Sequence, residues 1–250
     1  MKKSILIFLL TITFISVFCT GCRNNPTEKA HTNYFEKKKE EKLKVCTKKQ
    51  FYHESEKHKR EDSWKILQII QSKIVMTNGK YLIRLEKQKG KYQIKDMIDL
   101  SLYGVDGCFN EYGTLFYPSE NGDQYLIFNS WDQKKNGEGI KYFENKNLKS
   151  IVINFKTRKI DYFQGNDFTK LQAKEKISKK WLAKEIETPK AVMDYQEKTY
   201  GFHSVVSYEV DKKSSVAVLK EGEQEEINPL KWGIYNYQYS NKKISRVFKF

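Results

Sequence analysis

Three stretches carry residue types able to do chemistry. "HESEKH" places His53, Glu54 and His58 together, the set a zinc hydrolase would use. Such a site needs two histidines four residues apart on one helical face. Here they are five apart, so on a helix they diverge. Ser240-Asn241-Lys242-Lys243 matches an S-x-x-K nucleophile motif. That chemistry requires a helix that carries the lysine back to the serine, whereas this stretch reads as a hairpin turn. Asp96, Asp99 and Asp106 in "KDMIDLSLYGVDG" offer hard oxygen ligands without the spacing of a calcium loop; they read as turn-forming and strand-capping aspartates. His31 and His203 stand without local partners, and the run Glu221, Glu223, Glu225, Glu226 reads as a solvated loop before Pro229. Neither a G-x-S-x-G elbow nor a phosphate-binding glycine loop is present. The residues therefore nominate no catalytic group, no metal ligand and no cofactor.

Aromatic residues give a different kind of candidate. Tyr235, Tyr237 and Tyr239 alternate behind Trp232, so on a strand the three tyrosines share one face. A row of amphipathic rings beside lysines suits a sugar or a protein partner. The same row would serve equally as a sheet face packed on the core or under a helix.

The N-terminus speaks about location. Lys2 and Lys3 precede an uncharged stretch that runs from Ser4 to Gly21. Its apolar part is roughly 18 residues, long enough to span a bilayer and also compatible with a secretory signal. The residues at its end separate the two. Cys19-Thr20-Gly21-Cys22 resembles the lipobox of bacterial lipoproteins, with Thr20 and Gly21 at the small positions and Cys22 at the modified one. Cys19 departs from the usual Leu or Val. The resemblance covers residues 1–22 only; no family is identified for the rest. It implies a diacylglyceryl thioether on Cys22, cleavage before it, and a mature chain held by lipid on the outer face of a membrane.

Of four cysteines, Cys19 then leaves with the signal and Cys22 takes the lipid. Cys46 and Cys108 remain, and export permits them to form a disulfide. Loss of Lys2 and Lys3 lowers the formal charge from +15 to +13. The excess is spread evenly, +4 in 23–62, +5 in 63–165 and +4 in 166–250. Of 46 basic residues 41 are lysine, which argues against nucleic acid, whose readers favour arginine. Anionic lipid or anionic wall polymer is the matching partner chemistry, alongside an envelope protein.

These residues must be positioned by a fold. Residues 1–21 read as signal and 22–62 as a charged tether too poor in aliphatic residues to fold, with a transient helix allowed by Glu36, Lys37, Glu40, Glu41 and Lys44. Residues 63–250 read as a single domain, α+β and mainly β. "KIVMTNGKYLIRLEKQKGKYQIKDMID" predicts a three-strand meander with a type I′ turn at Asn78-Gly79 and a second turn at Gly90. Hairpins follow around 120–123, 157–159, 211–213 and 240–243. "SWKILQIIQ" suits a strand or a helix. One helix is expected near 167–187, capped by Asn166 or Asp167, bounded by Pro189, and striped by Phe168, Leu171, Trp181, Leu182 and Ile186. The spacing of the turns also allows a partial propeller-like sheet.

The reading for function is a surface-anchored, non-enzymatic binding domain at the cell envelope. The alternative is an envelope hydrolase with catalytic carboxylates scattered along the chain. A two-lobed solute-capture protein would need a longer chain with alternating strands and helices.

Overall fold

The computed structural model describes residues 36–47, 49–50, 64–105, 114–129, 131–136, 139–144, 149–164, 172, 176–201, 205–220 and 232–250. The lipobox, Cys108, Asp106, all four histidines and the acidic run at 221–226 lie outside them. In chain order the strands are β1 (Glu36–Lys42), β2 (Lys65–Ile70), β3 (Lys73–Thr77), β4 (Tyr81–Gln88), β5 (Lys91–Asp99), β6 (Thr114–Pro118), β7 (Gln124–Asn129), β8 (Trp131–Asn136) and β9 (Gly139–Glu144). They continue with β10 (Lys149–Asn154), β11 (Lys159–Gln164), β12 (Glu185–Ile186), helix α1 (Lys190–Tyr200), β13 (Val206–Asp211), β14 (Ser214–Lys220), β15 (Trp232–Gln238) and β16 (Lys243–Lys249).

Sheet I has the order β1-β11-β10-β7-β6, sheet II β2-β3-β4-β5 and sheet III β12-β13-β14-β15-β16, and β8 pairs with β9 in a two-stranded sheet. Every pairing is antiparallel. The fold is α+β and mainly β. It is not a propeller: β1 joins the far edge of sheet I across more than a hundred residues, whereas a blade pairs strands that follow one another.

Sheet II is the middle layer. Leu82 and Ile98 pack with Ile127, Ile153 and Ile160 of sheet I. Ile83, Met76 and Met97 face the other way and pack with Val216, Val218 and Ile234 of sheet III. A sheet covered on both faces loses the apolar–polar alternation of a solvated one, so β4 is buried continuously from Tyr81 to Leu85. The same constraint explains "SWKILQIIQ". It forms β2, and its apolar residues serve both cores on either side of a bulge near Leu67.

Three expectations need correction. The first concerns the described part of the tether: Glu36–Lys42 is a strand paired with β11, not a helix. Lys159 Nζ meets Glu40 at 2.6 Å and Leu43 is buried beyond it. An edge strand is held by its neighbour's backbone, which its own composition does not report, and charged side chains suit an edge because they discourage further pairing.

The second is the helix. Residues 165–171 and 173–175 lie outside the described residues and Gln172 is helical, but 176–186 are not α-helical, and α1 begins after Pro189. Proline suits a helix start, where its missing N–H is not needed. Residues 176–186 form a strap across the layers. Ser178 N donates to Pro118 O (2.9 Å), a 3-10 turn covers Lys179–Trp181, Ala183 N donates to Leu67 O (2.7 Å), and β12 joins β13. Ile177, Leu182 and Ala183 enter three different cores; of the expected stripe, Phe168 and Leu171 lie outside the described residues.

The third concerns the first turn. Gly79 has φ 89 while Lys80 does not share the left-handed region. Asn78 N donates to Tyr81 O at 3.3 Å and Asn78 Oδ1 accepts from Tyr81 N at 2.8 Å. The loop pair is thus Gly79-Lys80, not Asn78-Gly79, and it lacks the two left-handed residues a type I′ turn requires.

The β6–β7 turn ties sheet I to sheet II. Gly122 has φ +67, and a Cβ there would lie 2.7 Å from Ile70 Cδ1 and 3.0 Å from Gln68 Oε1. Gly122→Ala is expected to cost about 1–3 kcal/mol from left-handed backbone and crowding together. Urea denaturation measures it, and a neutral result would show that β2 yields freely.

Candidate functional site

The most polar constellation in the interior centres on Asp96. Arg84 of β4 lies directly opposite Asp96 of β5. Arg84 Nε donates to Asp96 Oδ2 at 2.7 Å and its Nη2 lies 2.5 Å from the same oxygen. Arg158, in the β10–β11 turn with φ 59, donates through Nη1 to Asp96 Oδ1. The Arg84 guanidinium sits 4.7 Å from the centre of the Phe155 ring. Asp96 is 3% exposed and Arg84 8%, whereas the Arg158 side chain is 41% exposed. The chain has only five arginines, and two of them bind this one carboxylate. A planar fork with several fixed donors satisfies both oxygens of a buried carboxylate better than a lysine would. With both oxygens engaged, Asp96 is occupied as a clamp between sheets I and II and is not presented to a cation or a substrate.

A second buried group lies between the same sheets. Tyr125 Oη donates to Gln68 Oε1 at 2.6 Å, and Gln68 Nε2 donates to Ser119 O at 2.9 Å. Tyr125 is fully buried, which pushes its phenol well above the usual tyrosine range and keeps it a donor at any physiological pH.

The aromatic row is split by the pleat. Tyr235 pairs with Ala217 and Tyr237 with Ser215, on the face that packs against Val192 of α1. Trp232 is on the opposite face and packs toward sheet II. Tyr235 is 3% exposed and Tyr237 8%; Tyr239, at 37%, is the exposed member. Tyr200 and Tyr235 share a hydroxyl hydrogen bond of 2.7 Å, and Tyr195 tilts over Tyr235 at 5.7 Å. The row is therefore the floor beneath α1, not an open platform. Its alternation is legible in the sequence; the helix that covers it is not, because the apolar spacing before Pro189 points to a helix on the wrong side of that proline.

The other expectations resolve individually. Asp99 Oδ1 accepts from Ser101 N (3.0 Å) and Ser101 Oγ (2.5 Å), capping a 3-10 turn. Ser240 and Lys243 flank the β15–β16 turn, where Lys243 N donates to Asn241 Oδ1. Cys46 N donates to Met97 O and its Sγ lies 3.4 Å from Thr47 O. Among the described residues no group of three or more His, Cys, Asp or Glu side chains is arranged to hold a metal ion. Among them, too, no helix is long and apolar enough to cross a membrane.

Fold and interior together define a class: a three-layer antiparallel β protein with an outer helix and an arginine-clasped aspartate at one layer junction. Comparison with known protein families, curated proteins and solved structures gives no match to this chain.

Proposed function

We propose that the chain is a lipid-anchored envelope protein, held on the outer face of a membrane through acylated Cys22, whose folded part binds a partner instead of catalysing a reaction. The observation that carries this reading is the ordered series Lys2-Lys3, uncharged run, Thr20-Gly21-Cys22. Thioether-linked acyl chains contribute about 0.8 kcal/mol per buried CH₂, so two chains give stable attachment without a spanning helix. The use of Asp96 in a clamp and of Asp99 in a cap supports binding over hydrolysis, because it withdraws both described members of the aspartate cluster from acid–base work.

The test is acylation. The parent chain is expected to incorporate labelled palmitate and to yield a mature N-terminus at Cys22 by mass spectrometry; Cys22→Ser is expected to incorporate none. Equal labelling of the variant, or a mature chain starting elsewhere, would sink the anchoring. Turnover of an envelope substrate that disappears on replacing one carboxylate would sink the non-enzymatic half.

A further inference from the structure

Two hairpin tips at one end of sheet III form a surface of unusual composition. The β13–β14 tip carries Lys212 and Lys213, and the β15–β16 tip carries Lys242 and Lys243. Their strands run so that Ser214 pairs with Gln238, which brings both tips to the same end. Tyr239 N donates to Lys213 O at 3.0 Å and joins them directly. All four lysines are exposed, and among the described residues none of the four has a carboxylate within ion-pair distance. The local acceptors are engaged by neighbouring donors. Asp211 Oδ1 accepts from Lys213 N (2.7 Å) and Ser214 Oγ (3.0 Å), which holds its carboxyl below the usual range. Asn241 Oδ1 accepts from Lys243 N, and Glu209 pairs with Lys184 at 2.6 Å.

Apolar groups stand among these cations. A bulge between Glu209 and Asp211 sets Val210 outside the ladder. Val210 is 40% exposed and Tyr239 37%, two of the six exposed large apolar side chains among the described residues. A soluble polyanion needs the lysines alone. A bilayer surface takes both, with cations at the phosphates and a valine and a tyrosine ring at the headgroup–acyl boundary.

We propose that these paired tips dock on an anionic phospholipid surface. Each lysine near such a surface contributes roughly a fivefold factor at low salt, so four give a contribution of a few hundredfold before screening. The docking rests on the anchored reading only for its local concentration. Thirteen residues separate Cys22 from β1, a reach of at most about 45 Å when fully extended, so weak contact with the same membrane is amplified.

The test uses the full chain added to vesicles of phosphatidylcholine, alone or with about 30 mol% phosphatidylglycerol. Lysines are acetylated by a water-soluble reagent and quantified by mass spectrometry. Acetylation of Lys212, Lys213, Lys242 and Lys243 is expected to fall by at least about threefold on the anionic vesicles and to recover at about 0.5 M salt, with Lys198 of α1 unchanged. Val210→Asp, at an exposed bulge, is expected to abolish the protection. Equal acetylation on both vesicles, or a uniform fall that includes Lys198, overturns the proposal. So does protection by a soluble polyphosphate as strong as that by the vesicles, together with survival in Val210→Asp. Flotation with neutral vesicles reports the anchor separately: a chain that fails to float with them yet protects its tips on anionic ones refutes the anchor and leaves the docking intact.

Discussion

Asp96→Ala is expected to lower the free energy of unfolding by about 3–5 kcal/mol, the cost of stranding a buried partner of a broken ion pair. The carboxylate accepts from two arginines. Its removal leaves the Arg84 guanidinium, 8% exposed, against the Phe155 ring with only the more distant Glu86 carboxylate at 4.0 Å and close to a second cation. Asp96→Asn keeps the shape and loses the charge, so it is expected to fall between the parent and the alanine variant. Arg158→Gln should cost only about 1 kcal/mol, because that side chain is half in solvent and its charge is screened. Urea titration followed by far-UV circular dichroism orders the three. A loss below about 1 kcal/mol for Asp96→Ala would mean that water enters the site and that the clamp adds little to the junction.

Tyr125→Ala is expected to have the second large effect, again about 3–5 kcal/mol. The ring is completely buried between sheets I and II, with Phe155 edge-on at 5.9 Å. Its deletion opens a cavity in a layer that cannot collapse without moving a sheet. Tyr125→Phe separates the two contributions. It keeps the ring and removes the donor to Gln68 Oε1, which strands a buried amide oxygen and should cost about 1–3 kcal/mol. Thermal unfolding of the pair distinguishes cavity from hydrogen bond. If the phenylalanine variant is as stable as the parent, the Gln68 carbonyl finds another donor.

Both groups leave a partial trace in the sequence. Arg84 interrupts the apolar run "YLIRLE" and Asp96 the run "QIKDMID", and a charge in a strand buried on both faces needs a buried counter-charge. Adjacent strands of a meander make the two natural partners. Arg158 leaves none. It reaches the pair from a turn in another sheet, sixty-two residues away, and nothing local marks that approach. Gln68 and Tyr125 are likewise brought together across fifty-seven residues by sheet packing alone.

The elements divide the same way. The hairpins are legible because each is specified by strand formers flanking a turn within a few residues. The Tyr235–Tyr239 alternation is legible because side-chain direction in a strand has period two. The strap at 176–186 passes for a helix because Trp181, Leu182 and Ile186 stand at helical spacing, which a 3-10 turn followed by a short strand also produces. β1 passes for a tether because an edge strand can be as charged as a linker and still pair.

Local chemistry is what the sequence determined unaided: a mainly β class, the hairpins, a lysine-dominated charge and a series that resembles a lipobox. The order of the layers, the burial of two of three tyrosines, the arginine clasp on Asp96 and the meeting of four lysines at neighbouring tips were decided only in the tertiary structure. Each depends on contacts between residues far apart in the chain, and burial and ion pairing belong to the juxtaposition of surfaces, not to any segment alone.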